Sequence, residues 1–542
     1  MSEILILQSP PPKFEDVQKD IFCKEALELM CKIHEEFDTR ISELYNKRLQ
    51  RKLEVKTTSV IDFKESPERA DQTWKVSPLP ARLQCRHLDL GDVSASNTAH
   101  FVSALNADVQ GVQVDFDDGH CPTWRNQLQA YQNIKLAVCG KLAGAPVTIS
   151  TCPVLMLRPR AWNMVEHNII INGKEAIGPL VDFAILIYHN AKRLYEAKSG
   201  PYFYLSKIEG ATEAALWNDI FVWTQKQIGL PQGTIKACVL IENILSTFEL
   251  EEILYALREH SLGLNCGIWD YCASIIAKYG DRQEFMLPDR NKYVNMDRHF
   301  LSSYLKLVVQ TCHNRGAMAT GGMAAAMLTP GSDGSDDASK VTIRKILDGK
   351  LKEIEAGVDG FMVYDSRVVS HVNELWKKYG AYPNQISKKF DIKINARDLM
   401  LVPSGGVTKE GLRHNVAVTV LFIYYWLAGS GHFFYSGNVE DSATAEISRS
   451  QIWQWIRFSA QLEDKPNKRV TAKLVEKAAN NFATHAHKNL CRSNAERKRL
   501  TAAKYMSMEL FLTRNPPEFI TTYLNDNHKF RTIHNKALVS HL

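Results

Sequence analysis

The sequence predicts an α/β fold built on a (β/α)8 TIM barrel, with a helical segment before the barrel and a helical domain after it. Short β-branched or apolar runs alternate with helical patterns over about 290 residues, which suits a closed barrel better than an open sheet. A doubly wound nucleotide-binding sheet would need a G-x-G-x-x-G turn after its first strand, and the sequence has none there. The candidate strands are VQGVQVDF, VTISTCPVLML, PYFYLSKIE, IKACVLI, LGLNC, AMATGG and GFMVY.

The chain divides into three predicted regions. Residues 1–105 carry long charged stretches with apolar residues at helical spacing, and they are expected to be helical. The barrel is expected over residues 106–395, and a C-terminal helical domain over residues 396–542. The pattern yields seven strands, so the position of the eighth stays open. Apolar residues that set the helical spacing in the first region are Ala26, Leu29, Met30 and Ile33.

Composition excludes several classes of protein. Of the 542 residues 45% are hydrophobic and 23% charged, the balance of a globular protein with a large core. The net charge of +6 is spread out, and no basic block is interleaved with aromatics, so we expect an anionic substrate and no nucleic-acid partner. The 11 cysteines are scattered without a C-x-x-C pair. This pattern favours reduced thiols inside a cell over a disulfide framework or a zinc site.

The two ends and the most apolar stretch bear on localisation. The opening MSEILILQSPPPK does not resemble a signal peptide, and residues 416–428 are too few to span a bilayer, so we expect a buried helix there and no membrane association. The final residues Ser540-His541-Leu542 differ from the S-K-L address only by His for Lys. We expect them to bind the peroxisomal import receptor. If the receptor does not bind them, we expect the protein to be cytoplasmic.

The segment from IKACVLI to Asp270 is predicted to form strand, helix and strand. The first strand ends at Glu242, the helix is predicted to begin at a Ser246-x-x-Glu249 capping box and to stop at Gly263, and the second strand leads to Asp270. Parallel strands end side by side, so Glu242 and Asp270 are expected within about 5 Å of one another, as a Mg²⁺ site requires. Spacing alone leaves open that these carboxylates only cap helices or solvate loops.

Three further residues carry charge at the ends of predicted elements. Arg158 and Arg160 flank a proline after the second strand, where an arginine can bind a carboxylate bidentately or stabilise an oxygen that becomes negative. Pairing with a structural carboxylate is an equal alternative for either arginine. Asp441 precedes Ser442 at the start of a predicted helix, so an N-cap is the simplest interpretation of this residue.

Several long motifs resemble those of the malate synthases. IKACVLIEN followed by LREHSLGLNCGIWDY is similar to the central signature of that family. The segments DFDDG, RPRAW, GPYFYLSKIEG and GSGHFFYSGNVEDSATAEISRSQIWQWI are similar to its other motifs, and the resemblance extends from about Pro78 to about Phe458.

The resemblance implies an activity and roles for particular residues. It implies that acetyl-CoA, glyoxylate and water give malate and coenzyme A, the reaction of the glyoxylate cycle. It also implies Mg²⁺ held by Glu242 and Asp270, an enolate oxygen stabilised by Arg158, and Asp441 as the base that takes the methyl proton. A helix N-terminus favours an ionised carboxylate, so the base and cap roles of Asp441 are compatible.

One segment departs from the family pattern. Where the family has G-T-W-[VI]-A-H-P-G, residues 360–367 are GFMVYDSR, so Met362 replaces a tryptophan that packs on glyoxylate. Three hypotheses stay open: a malate synthase, a related acyl-CoA lyase or thioesterase acting on another 2-oxo acid, and a non-catalytic relative kept for binding. All four implied site residues are retained, which favours an enzyme. The sequence leaves open whether the chain is a homo-oligomer and which basic residues after about Asp464 contact coenzyme A.

Overall fold

A closed barrel of eight parallel strands forms the centre of the computed structural model, which describes residues 5–57 and 61–527. The barrel closes where its last strand pairs with its first, with Phe361 opposite Leu88. The predicted fold class is therefore confirmed. In chain order the barrel strands are β1 (Leu88–Val93), β2 (Gly111–Asp115), β3 (Val154–Arg158), β4 (Tyr202–Leu205), β5 (Lys236–Ile241), β6 (Ser261–Cys266), β7 (Met318–Ala324) and β8 (Gly360–Val363).

The strand that the sequence did not place is β1, so the barrel begins before residue 106 and the predicted boundary near residue 105 is too late. Its sequence LDLGDV carries two acidic residues, which conceals it from a search for apolar runs. Asp89 is buried inside the barrel because Nε of Arg86 donates to its Oδ2 at 2.8 Å. Asp92, near the other end of the strand, has a φ of +53°.

Helices surround the barrel, and each barrel strand is followed by at least one. The long N-terminal helix Lys24–Thr57 packs outside this layer and buries Ala26, Met30 and Ile33. This confirms the predicted helical character of that region. The helices that follow the strands are Thr98–Leu105, Trp124–Val138, Gly178–Glu196, Ala211–Ile228, Leu250–Ala256, Ile268–Tyr279, His299–Arg315, Asp337–Ala356 and Val369–Tyr379.

The connection after β5 differs from its prediction. Residues Ser246–Glu249 form a 3-10 turn, the α-helix covers Leu250–Ala256, and Oγ of Ser246 donates to the carbonyl of Asn243 instead of capping a helix. Gly263 lies inside β6 with a φ of +109°, and a Cβ there would stand 1.9 Å from the carbonyl oxygen of Met318. The glycine is needed for the close approach of β6 and β7, so it does not stop the helix.

The C-terminal region is largely helical and has a hydrophobic core of its own. The predicted buried helix is Lys409–Trp426, in which Val416, Val420 and Ile423 are fully buried. No helix among the described residues is long and apolar enough to cross a membrane. The remaining helices of this region are Ala396–Met400, Ser442–Arg457, Ala472–Asn489, Asn494–Leu512 and Ile520–Asn527.

Short strands outside the barrel complete the fold. One small sheet joins Leu5–Leu7, Val165–Ile171 and Lys174–Ile177. Two hairpins belong to the C-terminal region. The first, Phe433–Tyr435 with Asn438–Glu440, leads directly into Asp441 and the helix Ser442–Arg457. The second pairs Gln461–Leu462 with Lys465–Arg469.

Candidate active site

A cavity of about 90 Å³ lies between the carboxyl end of the barrel and the start of the helix Ser442–Arg457. All four site residues proposed from the sequence line it, although they come from distant parts of the chain: Arg158, Glu242, Asp270 and Asp441. The carboxyl ends of barrel strands are where TIM barrels carry their chemistry. We call this space the mouth cavity.

Three carboxylates meet at one side of the mouth cavity. Asp118, Glu242 and Asp270 are buried, and one oxygen of each lies within 4.8 Å of the others. Glu242 directly follows β5, and Asp270 lies in the first turn of the helix that follows β6. The spacing agrees with the distance expected between Glu242 and Asp270. An all-oxygen set of this size fits Mg²⁺, which takes a few carboxylates and completes its shell with water or substrate.

The electrostatics of this cluster also fit a cation. Burial raises the pKa of Glu242 to about 7 and raises that of Asp270 well above its ordinary value. Burial opposes ionisation of Asp118 as well, but the charges of Lys207 and Arg158 lower its pKa to about 2. Full ionisation of the three carboxyl groups would therefore give the cluster more negative charge than its protein partners neutralise. A divalent cation would compensate that excess charge.

Lys207 is the basic residue nearest these carboxylates among the described residues. Its Nζ lies 2.6 Å from Oδ2 of Asp117, 2.7 Å from Oδ1 of Asp118 and 3.7 Å from Oδ2 of Asp270. Its backbone N–H donates to Oε1 of Glu242 at 2.7 Å. The residue follows β4 with a φ of +53°, so the strained turn places both its ammonium and its amide against the cluster.

Arg158, the last residue of β3, is held by three carboxylates. Its Nε and Nη2 donate to the two oxygens of Asp115 at 2.7 and 2.6 Å. Nη1 reaches Asp118 at 3.0 Å, and Nη2 reaches Asp92 at 2.9 Å. These bonds fix the plane of the guanidinium at the edge of the mouth cavity. Its positive charge is thus positioned before any substrate binds.

Arg160 has a different environment although it lies two residues further on. Its guanidinium donates to both oxygens of Asp182 at 2.9 and 2.8 Å, and to Glu166 at 2.8 Å. The residue is buried, and it does not line the mouth cavity. The alternative of a structural ion pair therefore applies to Arg160.

Asp441 is the N-cap of the helix Ser442–Arg457. Its Oδ1 accepts from the backbone N–H of Thr444 at 3.0 Å, and the Thr444 hydroxyl accepts from the N–H of Asp441 at 3.0 Å. The next residue ties the helix to the barrel, because Oγ of Ser442 donates to Oδ1 of Asp118 at 2.5 Å. Burial and then the charge of Asp118 raise the pKa of Asp441. One residue thus caps a helix and lines the mouth cavity with a carboxyl group whose pKa is raised.

Sequence reasoning missed Asp92, Asp118 and Lys207 as site residues. Asp118 had a usable signal, since the acidic run that starts at Asp115 directly follows a strand. Lys207 likewise follows β4, within the motif GPYFYLSKIEG. Asp92 had no usable signal because its strand was not predicted.

The altered segment 360–367 contributes to the wall of the mouth cavity. Met362 lines the cavity and pairs across the strands with Met323, which lines it as well. Beyond them, Nη2 of Arg367 donates to Oδ2 of Asp365 at 2.6 Å. The Arg367 guanidinium also donates to the carbonyl oxygens of Leu328 and Thr329, at 3.1 Å each. The flexible thioethers of Met323 and Met362 therefore form an adaptable apolar part of the cavity wall.

Fold and site together define a class of TIM-barrel protein. A carboxylate cluster suited to a divalent cation, a fixed arginine and a carboxylate from a separate helical region converge on one cavity. The sequence matches the family descriptions "Malate synthase, TIM barrel domain" over residues 154–402 and "Malate synthase, C-terminal" over residues 406–527. The chain belongs to the malate synthase family, as its motifs predicted.

Relatives match along most of the chain. It is 39% identical to malate synthase of Myxococcus xanthus, with 85% of each chain covered. It is 37% identical to that of Dictyostelium discoideum, covering 82% of this chain and 84% of the other. It is 34% identical to glyoxysomal malate synthase of Candida tropicalis, with 94% of each covered. A solved Haloferax volcanii malate synthase magnesium/glyoxylate complex is similar at a TM-score of 0.40 and 13% identity, covering 77% of this chain and 98% of that one, a level too low to inform the site.

Proposed function

We propose that this chain condenses acetyl-CoA with glyoxylate and hydrolyses the resulting thioester, which gives malate and coenzyme A. The observation that carries the proposal is the convergence of Arg158, Asp441 and the carboxylate cluster on the mouth cavity, in a chain of the malate synthase family. The reaction belongs to the glyoxylate cycle.

Glu242 and Asp270, with Asp118 beside them, are the residues that would hold Mg²⁺. When bound, the ion supplies a Lewis acid that polarises the carbonyl of glyoxylate. The chain's own part is to gather carboxylates that are costly to ionise without a cation, as the raised pKa values of Glu242 and Asp270 indicate. Lys207 holds Asp118 in its ionised form and keeps Glu242 oriented through its backbone N–H.

Asp441 and Arg158 divide the proton chemistry between them. The carboxylate of Asp441 takes a proton from the methyl carbon of acetyl-CoA. Its raised pKa makes it a stronger base and brings that pKa closer to neutral pH, where a general base works best. The electron pair left on carbon spreads onto the thioester oxygen. The Arg158 guanidinium, fixed by Asp92, Asp115 and Asp118, stabilises that oxygen as it becomes negative. The carbanion then attacks the aldehyde carbon of glyoxylate.

The test is release of free thiol from acetyl-CoA by purified protein with glyoxylate and Mg²⁺. We expect turnover that requires all three components. Thiol release that is independent of a 2-oxo acid would identify a thioesterase. A rate with pyruvate that exceeds the rate with glyoxylate would identify a condensing enzyme of different specificity, consistent with Met362 at the wall. Acetyl-CoA binding without any turnover would support the non-catalytic alternative, which the intact site disfavours.

We also infer a peroxisomal location, with Ser540-His541-Leu542 as the element bound by the import receptor. Support comes from the tripeptide itself and from the glyoxysomal relative in Candida tropicalis. These three residues lie outside the part of the chain that the structure describes. A truncation that ends at Val539 should remain in the cytosol while retaining the thiol-release activity. Continued import of the truncated chain would contradict the inference.

A further inference from the structure

A second cavity, of about 230 Å³, lies on another side of the helix Ser442–Arg457. Its walls come from the end of the long helix Lys24–Thr57, the helix Ile268–Tyr279, the helix Ser442–Arg457 and the loop that contains Arg514. We call it the basic cavity, because its lining includes Lys52, Lys56, Lys278, Arg449, Arg457 and Arg514, opposed by Asp281 and Glu518.

Two of these six cations are already neutralised. Lys278 is buried between Glu209 and Glu518, at 2.7 and 2.5 Å. Arg449 is buried beside Glu446 at 2.5 Å, and it also donates to the carbonyl of Pro517 at 2.6 Å. Both are parts of the wall, and neither needs a ligand.

The other four cations are under-compensated. Nζ of Lys52 lies 3.9 Å from Glu518, whose other carboxylate oxygen is bound by Lys278. Lys56, Arg457 and Arg514 are exposed, and none of them has a carboxylate within 4 Å among the described residues. Burial lowers the pKa of Lys52; the charge of Glu518 opposes this change, and the like charges of Lys278 and Lys56 add to it. These four cations come from three separate elements and line one space.

The basic cavity is distinct from the mouth cavity. The two share no lining residue. A narrow cleft lined by Lys207, Glu242, Asp270, Glu518 and Phe519 lies between them. Glu518 also lines the basic cavity, and Glu242 and Asp270 also line the mouth cavity, so this cleft borders both spaces.

We propose that the basic cavity is a binding site for a small phosphate-bearing molecule, separate from the site of condensation. Phosphate is the ligand that this lining fits, because arginine forks and lysine ammonium groups both form short charge-assisted bonds to its oxygens. The several negative charges of a phosphate group match the several cations that line the basic cavity. Arg457 is additionally held with its guanidinium 5.4 Å from the ring centroid of Trp453, which fixes one side of the site.

Calorimetric titration with inorganic pyrophosphate in metal-free buffer tests this proposal without relying on turnover. We expect saturable binding to the full-length protein that weakens as salt is raised. The double variant Arg457→Gln/Arg514→Gln should lose about tenfold or more in affinity, since each charge-assisted bond it removes is worth that much. The matched control Arg344→Gln/Lys345→Gln removes the same charge from exposed positions on the helix Asp337–Ala356 and should bind as the unmodified protein does.

Three results would overturn the proposal. One is equal binding by the two double variants, because that would reflect charge alone. Another is tighter binding of citrate than of pyrophosphate, which would assign the cavity to carboxylates. The third is displacement of pyrophosphate by acetyl-CoA, which would make this cavity part of the coenzyme site. Affinity for pyrophosphate that is unchanged by saturating acetyl-CoA supports a separate site.

Discussion

Arg158 and Arg160 lie two residues apart, are both buried and are both surrounded by carboxylates, yet only Arg158 lines the mouth cavity. Arg160 is paired with Asp182 and Glu166 and lies outside that cavity. Arg158 faces the mouth cavity, among more carboxylates than it can neutralise. Burial and pairing with carboxylates are therefore common to both arginines. The accessible space beside Arg158 is what distinguishes it from Arg160.

The largest effect on turnover is expected from Asp441, which shares the mouth cavity with Arg158. Asp441→Asn keeps an oxygen to accept from the Thr444 N–H, so the helix cap survives, but it removes the base. We expect turnover to fall by about 10² to 10⁴, with folding and acetyl-CoA binding retained. The thiol-release assay and circular dichroism provide the two measurements. Equal activity of variant and unmodified protein would reduce Asp441 to a helix cap.

Arg158→Lys tests the functional member of the arginine pair. Lysine keeps the positive charge but loses the planar fork that Asp92, Asp115 and Asp118 hold in place. We expect kcat to fall by about 10² to 10³, as for removal of one fixed donor beside a developing negative charge. Steady-state kinetics would measure it. A change confined to KM would mean that Arg158 only binds substrate.

Arg160→Met tests the structural member. It leaves the carboxylates of Asp182 and Glu166 buried without their partner, which costs about 3–5 kcal/mol of folding stability. Denaturant unfolding should show this loss, while kcat per folded molecule stays close to that of the unmodified protein. If kcat fell as far as in Arg158→Lys without a loss of stability, the contrast between the two arginines would be wrong.

The smallest expected effect is a dependence of stability on pH and Mg²⁺. The pKa of Glu242 is raised in the folded protein to about 7, so between its ordinary pKa and about pH 7 the unfolded chain releases a proton that the folded chain keeps. Stability of the metal-free protein should therefore fall as pH rises through that window. Added Mg²⁺ should raise the melting temperature by a few degrees more at pH 7.5 than at pH 5.5.

Glu242→Gln provides the control for that measurement. It removes the titrating group, so both the decline with pH and the response to Mg²⁺ should become smaller. An equal rise in melting temperature at the two pH values in the unmodified protein would argue against metal binding by these carboxylates.

Much of the fold and part of the site could be predicted because their signals are local. Short β-branched or apolar runs that alternate with helical patterns identified seven barrel strands, and the rule that parallel strands end side by side brought Glu242 and Asp270 together. The strand β1 was not predictable in the same way. Asp89 and Asp92 make it polar. Their carboxylates are tolerable inside a barrel because each pairs with a buried arginine, Asp89 with Arg86 three residues earlier and Asp92 with Arg158 from β3.

The sequence by itself determined the barrel, the N-terminal helices, the capping position of Asp441 and the family motifs, since each depends on residues close together along the chain. Only the tertiary structure decided that Arg158 and not Arg160 faces a cavity, that Lys207 and Asp118 complete the cluster, and that Asp441 lies at the barrel mouth. The physical reason is that burial, cavity shape and charge compensation arise from residues far apart in the chain. No local pattern records which buried charge is left uncompensated.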